Sequence, residues 1–446
     1  MLAAILSTGL CVGILAASPA KAGPAPRAGS IDLRQAAAIL KEVQAISDRD
    51  GGKMWGKPLY GATLFVDENT RDLVANRPDF QGLLKAEGEL FTGTLPAEEN
   101  VANTAVRWGG VEWTMVHWPL PEDVFGRDKL LIHESFHRIQ ASLGLDGPDT
   151  PCDHLDTRDG RLWLQLEWRA LEKALISKKE GRARAVVDAL IFRARRRALI
   201  PDSAGKEQAL EMHEGLPEYT GVALCARNRA EAEAYAAAAL DYAPSFQTFV
   251  RSFAYASGPA YGLLLDDAKP GWRAGLKGSD DLGALLGAAA GFNVPEDLAA
   301  AAESRAAAYG GRELEASETA RAAEHEKLVA AVRKRFVEGA VLFIPLREAF
   351  SYSFDPTNQV PLEGVGTVYP YLRISGPWGI LEAQKGALLL KKEGYISGVK
   401  VLVPKDAASP PLAGPGWTLT LNEGYRVEPG DRKGDFEVRR SLLNLP

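Results

Sequence analysis

The chain has 446 residues, of which 46% are hydrophobic and 25% charged, and its formal net charge is −6. This length predicts about two to three domains, and the apolar fraction is too high for a disordered protein. A net negative chain without a basic block is a poor nucleic-acid binder, because such binding depends on neutralising phosphates. Three cysteines are too few for a disulfide scaffold. These properties indicate a globular protein of several domains.

The N-terminus has the pattern of a secretory signal. Residues 2–17 form an apolar run, and residues 18–22 (SPAKA) supply a helix breaker and an A-x-A cleavage site. We predict that residues 1–22 are a cleaved signal peptide, with an uncleaved membrane anchor as the alternative. No second apolar run reaches spanning length. The mature protein is therefore expected to be periplasmic or secreted, with no membrane span after signal cleavage.

Two cysteines remain after removal of this segment, Cys152 and Cys225. Compartments outside the cytoplasm permit disulfide formation. We therefore predict a disulfide between them, and two unpaired thiols are the alternative.

The first part of the mature chain, residues 23–125, is rich in predicted strands. Residues 31–46 have helical apolar spacing and come first. After them, three runs of β type are separated by Asn, Asp, Gly and Pro, at residues 60–66, 89–94 and 105–118.

Residues 126–338 are predicted to be mainly helical. The helical patterns cover residues 129–143, 162–176, 183–199, 208–225, 230–240, 281–290 and 312–337. The charge run in the last of these is typical of a solvated helix face.

Residues 339–446 are predicted to form a small all-β domain. Short β-type runs divided by Gly and Pro occur at residues 341–344, 367–374, 386–391, 399–403 and 417–421. The three regions together predict an α+β fold: a mixed β N-terminal region, a mainly helical core and an all-β C-terminal domain.

One motif in the helical region is typical of metal-binding sites. His133, Glu134 and His137 form HExxH. Positions four residues apart share a helix face, so both imidazoles can bind one Zn²⁺. Glu134 would then lie beside the metal and take a proton from the attacking water. We expect one zinc per chain, and a surface helix with two incidental histidines is the alternative.

A catalytic zinc needs a third protein ligand. Three carboxylates are candidates: Asp156 in a predicted loop or helix cap, Glu167 in an amphipathic helix, and Glu214. Spacing alone leaves this choice open.

The segment His213-Glu214-Gly215-Leu216-Pro217-Glu218-Tyr219 resembles the N-E-G-[FL]-A-x-Y segment of gluzincin metallopeptidases, the aminopeptidase-N and peptidase-MA-like group. The resemblance implies a zincin-like catalytic core with Glu214 as the third ligand. His213 replaces the usual Asn, and the distance from His137 is much longer than in that family, which an inserted pair of helices would explain. His213 and Glu218 are expected to orient the ligands.

A second segment, Tyr255-Ala256-Ser257-Gly258-Pro259-Ala260-Tyr261, resembles the Y-x-x-G-a segment that opens a later helix in the same peptidases. The resemblance implies that the Tyr255 hydroxyl stabilises the oxyanion of the reaction. Tyr261 is the second choice for this role, and an aromatic core position is the alternative for both.

Upstream, Trp108-Gly109-Gly110-Val111-Glu112-Trp113 stands where those aminopeptidases carry G-x-M-E-N. In that family the Glu anchors the free amine of the substrate, a role that would fall to Glu112. Our preferred interpretation is a strand that aligns an extended peptide by β-addition.

The sequence therefore predicts a zinc metallopeptidase that acts on peptide or protein substrates. A non-catalytic periplasmic or surface binding or assembly protein on a peptidase-like scaffold is one alternative, and a zinc hydrolase of a non-peptide bond is another.

Overall fold

The computed structural model describes residues 31–148, 150–355, 359–392, 395–404 and 412–441. The predicted signal peptide lies outside the described residues. Within those ranges, no helix is long and apolar enough to cross a membrane. The fold is α+β with an all-β C-terminal region, as predicted.

Contacts within the chain define two units. The first contains the chain up to Leu95 and Val101–Thr319, and the second contains Pro96–Asn100 and Ala320–Pro446. The strand-rich and helical regions of the sequence therefore share one unit. The second unit begins inside the last predicted helix, ahead of residue 339.

One sheet forms the β part of the first unit. The elements in order are α1 (Leu33–Asp50), β1 (Thr63–Asp67), β2 (Asp72–Ala75), β3 (Lys85–Glu87), β4 (Leu90–Thr94), β5 (Thr104–Trp108) and β6 (Val111–Trp118). The strand order is β3-β4-β2-β1-β6-β5, with β1 and β6 parallel and the other neighbours antiparallel. Side chains alternate between two cores, so Phe65 and Val116 face the helices while Leu64 and Met115 face the other side.

The run at residues 105–118 forms two strands instead of one. Gly109 and Gly110 have φ of +58° and +78°, and they form the turn between β5 and β6. Because glycine adopts this left-handed conformation without a Cβ clash, the pair reverses the chain inside an otherwise β-type run. β5 is consequently the edge strand next to β6.

Helices make up the rest of the first unit. They are α2 (Val124–Gln140), α3 (Arg158–Ile176), α4 (Lys179–Leu199), α5 (Ser203–Leu210), α6 (Leu216–Cys225), α7 (Arg229–Tyr242), α8 (Phe253–Ala268), α9 (Leu282–Ala289) and α10 (Leu298–Ala306). The last helix, α11 (Gly311–Arg333), begins in the first unit and continues into the second. The Asp123 side chain accepts from Gly126 N and caps α2, and Thr157 likewise caps α3 through Gly160 N. α2 packs against β5, β6 and α6, so it lies between the sheet and the helices.

The helix predicted at residues 208–225 is interrupted. α5 and α6 are joined by one π-helical turn, Glu211–Gly215. α8, which contains the family-like segment at residues 255–261, packs against this turn. A Cβ on Gly258 would lie 2.3 Å from the Cα of Gly215, so the two backbones are in contact.

The predicted disulfide does not form, since Cys152 and Cys225 are free in the structure. The Cys152 amide donates to Val250 O at 3.0 Å, and its thiol faces the charges of Glu207 and Glu211. Cys225 ends α6 and lies among a different set of charged groups. Burial raises the pKa of both thiols.

The second unit contains two sheets around one core. Its strands are β7 (Val341–Pro345), β8 (Ser351–Phe354), β9 (Val360–Leu362), β10 (Gly366–Tyr369), β11 (Leu372–Gly376), β12 (Gly379–Ala383), β13 (Ala387–Lys392), β14 (Tyr395–Leu402), β15 (Leu412–Gly414), β16 (Trp417–Leu421), β17 (Tyr425–Pro429) and β18 (Phe436–Arg440). The sheets are β17-β18-β7-β14-β13-β10-β9 and β15-β16-β12-β11-β8. Leu342 and Val399 of the first meet Ile374 and Leu419 of the second, as in a β-sandwich.

The contact between Gly258 and the π-helical turn gives a test of the packing. We expect Gly258→Ala to lower the free energy of unfolding by about 1–3 kcal/mol, because the new methyl group meets backbone atoms that cannot move aside. Gly205→Ala in α5 is the matched control. A Cβ at Gly205 meets no atom within 4 Å, so we expect this change to raise stability by about 0.4–1 kcal/mol. Equal effects of the two substitutions in chemical denaturation would contradict the close approach of α8.

Candidate metal centre

Two imidazoles face one another on the inner side of α2. His133 and His137 are one helical turn apart, and their Nε2 atoms are 3.1 Å from each other. Glu214 lies on the π-helical turn, and its Oε2 is 3.5 Å from both of these nitrogens. The structure therefore brings the three predicted metal ligands into one group.

The other imidazole nitrogens fix the tautomers. His133 Nδ1 lies 2.9 Å from Glu218 Oε2, and His137 Nδ1 lies 2.9 Å from Gln140 Oε1. A carboxylate only accepts, and Gln140 uses its Nε2 as a donor to backbone carbonyls, including Met212 O. Both Nδ1 atoms therefore donate, which leaves each Nε2 of the neutral rings as an acceptor.

Three acceptors consequently converge on one point. In a tetrahedral zinc site with metal–ligand distances of about 2.0–2.1 Å, neighbouring ligand atoms are about 3.3 Å apart. The observed separations of 3.1, 3.5 and 3.5 Å match one face of such a tetrahedron. Acceptors at these distances repel each other unless a cation lies between them, so the donor set fits a divalent metal ion.

The charges around the group also favour a cation. Burial lowers the pKa of His133, but contacts with Glu214 and Glu218 and the charge of Glu134 raise it overall to about 10. Burial raises the pKa of Glu214, yet hydrogen bonds with the two histidines bring it well below its usual value. Three buried carboxylates thus surround two imidazoles.

A buried lysine supports Glu218. The Lys129 ammonium contacts Glu218 Oε1 and lies 5.8 Å from the ring centre of Tyr235. Burial alone raises the pKa of Glu218, but Lys129 and His133 lower it to about 2. The lysine has room because Gly221 faces it, where a Cβ would lie 2.8 Å from Lys129 Cγ.

Glu134 and Tyr255 lie beside the three ligands. Glu134 is buried, and its Oε2 has no hydrogen-bond partner among the described residues. Burial raises the pKa of this carboxyl group. The Tyr255 hydroxyl donates to Glu214 Oε2 at 2.6 Å, and its ring is parallel to His133 with centroids 5.6 Å apart.

His213 lies close to the group without joining it. Its ring centroid is 5.2 Å from that of His137, and its Nε2 is 3.8 Å from Glu214 Oε1. Glu112, by contrast, is exposed on β6 in register with Arg107, and it is not among the grouped ligands.

Glu167 and Tyr261 belong to a different cluster. The Tyr261 hydroxyl donates to Glu167 Oε1 at 2.7 Å, and Arg193 donates to the same oxygen at 3.1 Å. Arg196 contacts the other oxygen. Glu167 is therefore held by buried arginines, and Tyr261 is not available for the oxyanion role considered for it.

Asp156, the other candidate ligand, has backbone and hydroxyl partners. It accepts from Phe249 N at 2.8 Å and from the Thr248 hydroxyl. Of the three carboxylates that the sequence left open, Glu214 is the one grouped with the histidines.

Three residues that contact the centre were not predicted from the sequence: Lys129, Gln140 and Arg251. Lys129 and Gln140 are four residues before His133 and three after His137, so helix periodicity contained a signal for both. Arg251 Nη2 donates to Glu214 Oε1 at 3.0 Å, and no motif marks it.

Comparisons with protein-family models, curated proteins and solved structures found no match to this chain.

The Lys129–Glu218 pair generates a stability prediction. Lys129→Met leaves a buried carboxylate without its ammonium partner, so we expect the free energy of unfolding to fall by about 3–5 kcal/mol. Adding Glu218→Gln should recover part of this loss, because glutamine is uncharged and can still accept from His133 Nδ1. Chemical denaturation followed by circular dichroism measures both variants.

Lys41→Met provides the control, since Lys41 pairs with Glu89 on the surface. We expect it to change stability by less than about 1 kcal/mol. If Lys41→Met lowered the free energy of unfolding as much as Lys129→Met, this would contradict the special contribution of the buried Lys129–Glu218 pair.

Proposed function

We propose that His133, His137 and Glu214 bind one zinc ion and that the protein is a zinc-dependent hydrolase. The observation that carries this proposal is the convergence of two imidazole Nε2 atoms and one carboxylate oxygen at separations of 3.1–3.5 Å. Two imidazoles and one carboxylate are the donor set of several catalytic zinc sites, in which a fourth position stays open.

The more specific proposal is a metallopeptidase of gluzincin type with a zincin-like core. It is supported by the order of HExxH, Glu214 and Tyr255 along the chain and by the hydrogen bond between Glu218 and His133. β5 packs against α2 and is an edge strand of its sheet, so an extended peptide would pair with it by β-addition. We propose peptides or proteins as substrates, and a location outside the cytoplasm on the basis of the sequence of residues 1–22.

Each residue of the centre has a separate role in the proposed reaction. Zinc in such a site acts as a Lewis acid and lowers the pKa of water toward neutrality. Glu134 accepts the proton of the attacking water through Oε2, its atom without a described hydrogen-bond partner. The Tyr255 hydroxyl, which donates to Glu214 Oε2 in the structure, would turn from that oxygen to donate to the carbonyl oxygen as negative charge develops. Glu218 and Gln140 keep the two imidazoles oriented.

The role of Glu134 predicts a separation of binding from catalysis. The purified protein should contain about one zinc per chain, and Glu134→Gln should retain it, because this residue is not a ligand. Cleavage of a peptide library should fall by about 10²–10⁴-fold in this variant. Metal analysis and mass spectrometry of the cleaved peptides measure the two quantities.

Glu89→Gln is the control, because Glu89 pairs with Lys41 on the surface and lies outside the ligand group. It should keep both zinc and peptide cleavage. A wild-type protein that binds no zinc contradicts the proposal as a whole. Zinc binding without peptide cleavage would instead favour a non-catalytic binding protein, or a hydrolase of another bond that a panel of esters and amides would detect.

The identity of the third ligand is tested by two alanine variants. Glu214→Ala should weaken zinc binding by more than about 100-fold, because it removes a ligand. Glu167→Ala should leave zinc affinity close to that of the wild type, although it should lower stability by unpairing buried arginines. Competition with a chromogenic chelator measures the affinities, and the opposite ranking would contradict the assignment.

A further inference from the structure

The two oxygens of Glu214 have different surroundings. Oε2 is the oxygen 3.5 Å from both imidazole nitrogens, and it accepts from Tyr255. Oε1 accepts from Arg251 Nη2 at 3.0 Å, and His213 Nε2 is 3.8 Å away from it. One oxygen therefore faces the point shared by the ligands, and the other faces a guanidinium group.

We infer that Arg251 is a positioning residue that keeps Glu214 a single-oxygen metal ligand. The inference rests on the proposed metal centre. A carboxylate can bind a metal through one oxygen or through both, and a rotation that brings Oε1 to the metal would break the bond to Arg251. Hydrogen bonds between charged groups are the strong ones in proteins, so this rotation is disfavoured. Coordination positions are thereby left for water and substrate.

The placement of Arg251 does not depend on the metal ligands. The segment before α8 is tied to the chain on its other side, where Asp156 accepts from the Thr248 hydroxyl and from Phe249 N. The Cys152 amide donates to the carbonyl of Val250, the residue next to Arg251. The backbone from which Arg251 extends is therefore fixed by contacts other than the one with Glu214.

The charge of Arg251 has a second consequence at the same oxygen. A guanidinium on Oε1 offsets part of the carboxylate charge, so a cation bound through Oε2 retains more of its own charge. Lewis acidity increases with that retained charge. Arg251 thus affects two properties of the bound cation: its coordination number and its Lewis acidity.

Cobalt(II) substitution tests the inference. Visible absorption is strong for four-coordinate cobalt and weaker when further ligands bind. In Arg251→Met, which removes the donor, we expect Glu214 to bind through both oxygens and the absorption to fall by about threefold or more. Arg251→Lys keeps a charged donor and should retain most of the wild-type intensity. Arg305→Met is the matched control, since Arg305 pairs with Asp188 and contacts no residue of the centre through that pair.

Two results would overturn the inference. One is a cobalt spectrum of Arg251→Met that equals that of the wild type. The other is X-ray absorption of the wild-type zinc protein that shows a carboxylate bound through both oxygens, a measurement that needs no variant to fold. A wild type that binds neither cobalt nor zinc overturns the metal centre itself, so the two failures are distinguishable.

Discussion

Two imidazole nitrogens and one carboxylate oxygen lie within 3.5 Å of each other at His133, His137 and Glu214. Such atoms repel each other unless a proton or a metal ion lies between them, so this point in the structure requires a bound cation as well as close packing. The helix α2 is fixed between the sheet and α6, and the π-helical turn with Glu214 is fixed by the backbone of α8. These contacts therefore hold three potential ligand atoms around one point whose dimensions fit a divalent cation.

The helices between His137 and Glu214 contribute to this arrangement. Arg193 of α4 forms ion pairs with Glu211, the first residue of the π-helical turn, and with Glu167 of α3. The α3–α4 pair thus supplies the cation that fixes the turn three residues from the proposed ligand. Buried ion pairs cost desolvation energy and add little net stability, so their value here lies in defining one conformation.

The sequence predicted the parts of the centre that depend on local spacing. His133 and His137 lie one helical turn apart, so periodicity placed them together, whereas grouping Glu214 with them required a motif resemblance. Lys129 was not singled out, because its partner is 89 residues away in the chain. Only the resemblance at residues 255–261 implied a helix at α8, because the glycines and the proline inside it weaken the helical pattern. The disulfide prediction failed because pairing depends on tertiary distance.

The pairing of charges explains why one of the three carboxylates is suited to accept a proton. Glu214 is paired with Arg251 and Glu218 with Lys129, and both carboxylates have a lowered pKa. Among the described residues no lysine or arginine pairs with Glu134, and burial raises its pKa. Carboxylates held by fixed cations remain ionised and serve as ligand or as support for a ligand. In the proposed hydrolysis, the carboxylate without such a cation, Glu134, is therefore the one assigned to accept the proton of water.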